Sequence, residues 1–224
     1  MLLIVPTACA MEHSHYLGYS HTRQEAWAFF CLAVSFCGLG IRILTVGHVP
    51  KGTSGRNTRQ QEASELNTTG MYSIVRHPLY LGNLVMWLGV SMFCLNWWLT
   101  AIFLLSFWVY YERIMFAEEK FLREKFGDVF VEWANGTPAF LPAFRGWRRS
   151  PLPFSMRSAL RKEYSGFFAL VVCFFGLETW EHAVVEHRLF FAPHWLIIFL
   201  VGLLIYLTLR TMKKATTLLD VAGR

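Results

Sequence analysis

Residues 79–111 read LYLGNLVMWLGVSMFCLNWWLTAIFLLSFWVYY. Two apolar runs, Leu79 to Leu95 and Trp97 to Tyr111, are separated only by Asn96. Runs of this length and polarity predict two membrane-level helices joined by a tight turn, because a span needs about 20 predominantly apolar residues. Three more runs extend the pattern: Trp27 to Val46, the shorter Ser165 to Leu177, and Pro193 to Leu209. The expected fold is therefore all-α, a multi-span transmembrane bundle of about five spans in a single domain covering 1–224, with tails at 1–23 and 211–224.

Composition agrees. Of 224 residues, 54% are hydrophobic and 16% charged, and mean hydropathy is +0.37, which is too apolar for an ordinary soluble domain. Aromatic residues make up 17% of the chain, as suits rings that fill a bundle and anchor its interfaces. Cys31, Cys37, Cys94 and Cys173 fall within the runs and no CxxC occurs, so they read as packing residues rather than a zinc site or disulfide framework. The opening MLLIVPTACA lacks a basic n-region, so the first span is expected to direct insertion.

Charge sets the expected orientation. With the amino terminus outside and the carboxy terminus cytoplasmic, all of the 21 Lys and Arg except Arg23, Arg42 and Arg188 fall on the inner side. This is a positive-inside distribution. The net charge of +6 then reflects topology and contact with anionic lipid headgroups, not nucleic-acid binding. Histidines at 13, 15, 21, 182, 187 and 194 gather on the expected outer side, but their spacing fits no metal template, and no metal is expected.

RHPLY, Arg76 to Tyr80, marks the threshold of the hairpin. Pro78 suits the first turn of a helix, where its missing N–H costs nothing. A helix start carries unsatisfied donors and partial positive charge, and Arg76 adds to it, so an anion is welcome there. Gly82 leaves room for a ligand or backbone, while Asn83 and Trp87 continue the face of Tyr80 inward. A purely topological reading, with Arg and His at a membrane boundary and Tyr in an aromatic belt, also accounts for these residues.

YYERIMFAEEKFLREKFG, Tyr110 to Gly127, leaves the third span as a helix that Gly127 should end. Ile114, Met115, Phe121 and Leu122 surround Glu118 at helical spacing, so its carboxylate lies in an apolar stripe and needs a cationic partner. Glu119 is beside it. Pairing with Lys120, Arg123 or Arg113 is the bland alternative.

In order along the chain, GMYSIVRHPLYLGNLVMWLG, EEKFLREKFGDVFVEW and TPAFLP resemble the isoprenylcysteine carboxyl methyltransferase and phospholipid methyltransferase superfamily. The resemblance covers residues 70–142. It implies an integral-membrane enzyme that uses S-adenosylmethionine and methylates a membrane-embedded lipid or lipidated acceptor. It further implies that His77, Tyr80, Leu81, Gly82, Glu118 and Glu119 hold the cofactor, with Arg76 and Glu118 acting at the reacting centre. Where the family often has tyrosines after FG, this chain has Phe130 and Trp133.

For the acceptor, Asn83, Trp87 and Arg56 are the candidate contacts. Arg56 lies in the basic stretch PKGTSGRNTR, and a second basic run spans Arg145 to Lys162. A headgroup phosphate, carboxylate or amine would each suit. An NADPH-dependent sterol-type reductase is disfavoured, since Leu79 and Asn83 depart from the RHxNYxGE pattern of those enzymes. A non-catalytic scaffold remains the third reading. The expected location is the bacterial inner membrane.

Overall fold

The computed structural model describes residues 21–50, 63–185, 187–221 and 223. Among them the chain forms α1 (His21–Val46), α2 (Pro78–Met92), α3 (Trp97–Phe126), α4 (Asp128–Gly136), α5 (Met156–Val185) and α6 (Pro193–Ala215), with short 3-10 turns at Gly70–Ser73 and Phe144–Gly146. No strand occurs among the described residues, and the all-α expectation holds.

Among the described residues, four helices are long and apolar enough to cross a membrane: Arg23–Gly47, Trp97–Phe126, Met156–Val185 and Pro193–Ala215. The protein is a multi-pass membrane protein. The expected second span differs. It folds as the 15 residues of α2, a rise of about 22 Å at 1.5 Å per residue, short of the ~30 Å hydrocarbon core. Its end is set at Leu95, whose φ of 51° turns the chain into α3. The short fourth run, by contrast, is the middle of a 30-residue helix. Its flanking charged residues continue the helix, which apolar content alone does not reveal.

Two compact sets of residues make up the fold. The first comprises the described residues within 1–39, 84–107 and 164–210. Its core gathers Ala28, Cys31, Phe93, Cys94, Leu99, Phe174, Ala192 and Trp195. Phe174 and Trp195 stack with centroids 6.2 Å apart. Between apolar helices in lipid, close packing and a few polar contacts replace the hydrophobic drive of water. Ser35 Oγ donates to the Met86 carbonyl at 2.7 Å, and Trp27 Nε1 to the Met92 carbonyl at 2.8 Å. Gly89 makes this approach of α1 and α2 possible, since a Cβ there would meet Ser35 Oγ and the Cys31 carbonyl.

The second set comprises 40–83, 108–163 and 211–224. Val46, Leu79 and Ala159 form a buried cluster with Ile43 packed on it. Arg161 pairs with Asp220 at 2.7 Å, and Lys213 Nζ donates to the Arg161 carbonyl at 3.1 Å, which ties the chain after α6 to α5. As expected, α3 stops at Gly127, whose φ of 54° is open mainly to glycine.

Candidate active site

The approach to α2 is held by the segment after α4. The N–H groups of Arg76 and His77 donate to the carbonyls of Pro138 and Ala139 at 2.9 and 3.3 Å, and the Ala143 N–H returns a bond to Ile74. Further out, the Gly70 N–H meets the Arg148 carbonyl at 2.8 Å, and Trp133 Nε1 donates to the Tyr72 carbonyl at 3.1 Å. TPAFLP therefore has a clear physical task. Its carbonyls satisfy donors at the mouth of a helix, where unmet N–H groups are costly. These donors are consequently committed within the protein rather than open to an anion. Pro78 follows as the first helical residue, and the His77 carbonyl accepts from Tyr80 and Leu81 at 3.1 and 3.0 Å.

This entrance meets the glutamates of α3. His77 Nε2 lies 2.9 Å from Glu119 Oε1, and His77 Nδ1 lies 3.6 Å from Glu118 Oε2. The Tyr80 hydroxyl donates to Glu118 Oε2 at 2.8 Å. Arg76 Nε sits 3.3 Å from Glu119 Oε1, yet it is buried and makes no aligned hydrogen bond. Both glutamates thus have direct hydrogen-bond or ion-pair partners from residues 76–80; the Arg123 charge also acts on Glu119, while Lys120 reaches Glu124. The imidazole is 5% exposed. Burial by itself lowers its pKa, but hydrogen bonds and charges from Glu118 and Glu119 outweigh it and leave the pKa raised. With carboxylates at both ring nitrogens, the doubly protonated form is favoured. Burial pushes the Tyr72 phenol up, and the Glu118 charge pushes it further.

Aromatic faces continue the cluster. The Tyr80 ring stacks on His77 with centroids 5.4 Å apart, and Tyr111 tilts against Tyr80 at 5.1 Å. Asn83 Nδ2 donates to the Tyr111 hydroxyl at 2.9 Å, while Asn83 Oδ1 accepts from Arg42 Nη1 at 2.6 Å. Arg42 in turn holds Glu163 with two bonds of 2.8 and 2.9 Å. Arg42 is 6% and Glu163 2% exposed. A run of polar contacts therefore leads from α5 through α1 and α2 to α3.

Of the sequence candidates, Arg76, His77, Tyr80, Glu118 and Glu119 come together, and Leu81 and Gly82 follow on the same first turns of α2. Asn83 spends both ends of its amide on Arg42 and Tyr111. Trp87 is an exposed residue of α2. Arg56 lies outside the described residues, as do His13 and His15. On the expected outer side, His182 faces Glu178 at 3.6 Å and His194 faces Glu25 at 3.4 Å. Among the described residues no three His, Cys, Asp or Glu groups are placed to hold a metal. Sequence reasoning missed Arg42, Glu163, Tyr111 and Tyr72 as parts of this arrangement. A lone arginine inside a 20-residue apolar run was the available signal, because such a charge needs a partner.

The donor set suits a cationic amino-acid ligand. Two carboxylates can receive ammonium and hydroxyl groups, aromatic faces can meet a sulfonium, and Arg76, now 3.3 Å from Glu119, can receive a carboxylate. The cavity bordered by Tyr72, Arg76, His77, Leu79, Tyr80 and Glu118 measures only about 10 Å³. The same groups presently satisfy one another, so a ligand would enter by exchanging with these internal partners.

Residues 32–129 match the phospholipid methyltransferase family. The cobalt-zinc-cadmium resistance protein CzcN of Cupriavidus metallidurans is 33% identical over 132 residues, 58% of either chain. The nickel-cobalt-cadmium resistance protein NccN of Alcaligenes xylosoxydans xylosoxydans is 37% identical over 106 residues, 46% of this chain and 47% of its own. The protein-S-isoprenylcysteine O-methyltransferase of Schizosaccharomyces pombe is 29% identical over 113 residues, 49% of this chain and 48% of its own. The chain spans about half the length of these curated relatives. No solved structure matches it. His77, Tyr80, Glu118 and Glu119 all lie within residues 32–129, the stretch that matches the phospholipid methyltransferase family, and protein-S-isoprenylcysteine O-methyltransferases are similar to about half of this chain.

Proposed function

We propose that this protein is an S-adenosylmethionine-dependent methyltransferase that modifies a lipid or lipidated acceptor within the bacterial inner membrane, with its site on the cytoplasmic side. The observation that carries the reading is the meeting of Glu118 and Glu119 with His77 and Tyr80 at 2.8 to 3.6 Å. Its support from relatives is that several are named protein-S-isoprenylcysteine O-methyltransferases.

S-adenosylmethionine would supply an electrophilic methyl group on a sulfonium. The residues of this chain then have four tasks. Glu118 and Glu119 bind the cationic and hydroxyl groups of the donor. Arg76, whose Nε lies 3.3 Å from Glu119, exchanges that pairing for a carboxylate, either the donor's own or that of the acceptor. The stacked faces of His77 and Tyr80 line the transfer path and exclude water. Where the acceptor is a protonated amine, Glu118 receives its proton; where it is already an anion, no base is needed. With an anionic acceptor the charges cancel as the methyl group transfers, and with a neutral amine the positive charge passes from sulfur to nitrogen; in either case catalysis rests chiefly on alignment.

The test uses the full chain in detergent. S-adenosylmethionine is expected to raise its melting temperature, and Glu119→Ala and His77→Ala each to abolish that rise. Equal stabilisation of both variants and the parent would remove the site assignment. Lipid extracts from cells with and without the protein should differ by one methyl mass in one lipid class.

A further inference from the structure

A groove of about 650 Å³ opens beside α4, with Thr68, Ser73, Glu132, Trp133, Arg145 and Arg148 among its lining. The turn Gly70–Ser73 separates it from the cavity at His77: Ser73 lines the groove, and Tyr72 lines the other. Its walls are fixed by backbone bonds. The Arg148 N–H donates to Ser73 Oγ at 2.9 Å, the Arg148 carbonyl accepts from Gly70, and Trp133 is anchored on Tyr72. The tertiary structure divides the basic run of residues 145–162. Arg161 is engaged with Asp220, whereas Arg145 and Arg148 face the groove and make no ion pair among the described residues.

Beside these arginines stand apolar side chains. Leu141 is 78%, Phe144 75% and Trp147 55% exposed, interleaved in sequence with Arg145, Arg148 and Arg149. Water would penalise that exposure. The boundary between lipid headgroups and acyl chains would not, since there apolar side chains enter the hydrocarbon and guanidiniums rest at the phosphates. A soluble anion would account for the arginines but not for Leu141, Phe144 and Trp147. Glu132, on the same groove, reduces the local charge of the two arginines to a net single positive. That suits a singly charged phosphodiester, and its carboxylate can accept hydrogen bonds from headgroup hydroxyls.

We propose that this groove binds the headgroup of an anionic membrane phospholipid: Arg145 and Arg148 hold the phosphodiester, and Glu132 receives headgroup hydroxyls. The site does not depend on the proposed methyl transfer. The full chain in detergent is titrated with dioctanoyl phosphatidylglycerol, with dioctanoyl phosphatidylcholine and with inorganic phosphate, and native mass spectrometry counts bound lipid. Arg145→Gln with Arg148→Gln should weaken phosphatidylglycerol binding about 30-fold, the equivalent of about 2 kcal/mol for two basic groups at a lipid surface. Phosphatidylcholine and inorganic phosphate should bind far more weakly than phosphatidylglycerol. Should the double variant not fold, the parent decides: its affinity for phosphatidylglycerol must fall as salt rises. Unchanged affinity in the variant, equal binding of the two lipids, equal stabilisation by inorganic phosphate, or salt-independent binding would each overturn the proposal. The variant's affinity for S-adenosylmethionine should be unchanged. Its loss together with lipid binding would assign the groove to the donor instead and overturn the lipid reading, while variants at His77 test the donor site separately.

Discussion

Replacing Glu163 by leucine leaves the Arg42 guanidinium without the carboxylate that receives it at 2.8 and 2.9 Å. Arg42 is almost wholly buried, so water cannot take over. Breaking a buried pair from one side costs about 3–5 kcal/mol. Arg42→Leu should cost at least as much, because it takes the guanidinium away from buried Glu163 and also removes the 2.6 Å bond to Asn83 Oδ1. In the double variant both charges are gone. The main loss left is the unpartnered Asn83 oxygen, at about 1–3 kcal/mol. The sum of the single effects should therefore exceed the double by at least ~3 kcal/mol. Unfolding of the full chain by sodium dodecyl sulfate in mixed micelles, followed by fluorescence of its 9 tryptophans, measures all three. Additivity within about 0.5 kcal/mol, the behaviour of independent sites, would refute the reasoning, since it would mean that the two groups are separately solvated.

The remaining predictions concern single positions. Because the His77 pKa is raised above its ordinary 6.5 and that of Glu119 is lowered, the stabilisation from the pairing should fade as pH rises through the folded His77 value and again as pH falls through the folded Glu119 value; the melting-temperature difference between the parent and His77→Gln, followed across pH, should be largest between these two limits and shrink on the alkaline side. Tyr80→Phe deletes the 2.8 Å bond to Glu118 and should cost about 1 kcal/mol in the same micellar unfolding, reduced from the usual value for a charged acceptor because the carboxylate is partly exposed. Gly89→Ala drives a Cβ into Ser35 Oγ and the Cys31 carbonyl and should destabilise by about 1–3 kcal/mol, whereas Gly40→Ala, with open space at the corresponding point, should not.

The sequence by itself determined the kind of fold and singled out Arg76, His77, Tyr80, Glu118 and Glu119 as candidates, but not Tyr72, Tyr111, Arg42 or Glu163. Membrane helices are announced by local composition, so the hairpin of α2 and α3 and its turn at Asn96 could be read directly. Pro78 and Gly127 mark helix ends through backbone chemistry that is equally local. Glu118 stood out because its neighbours at helical spacing are apolar, and a carboxylate so placed demands a cation. Which cation answers is not a local property. Only the tertiary structure put His77 and Arg76, some 40 residues earlier, against the glutamates as their direct partners. It alone joined Arg42 to Glu163, which lie 121 positions apart, shortened the expected second span to α2, and sorted the arginines after Pro142 into those paired with acids and those facing a groove. The reason is the same for each of these charge pairings. Periodicity and propensity act over a few residues of one helix, whereas the partner of a buried charge is chosen by where other helices bring their side chains.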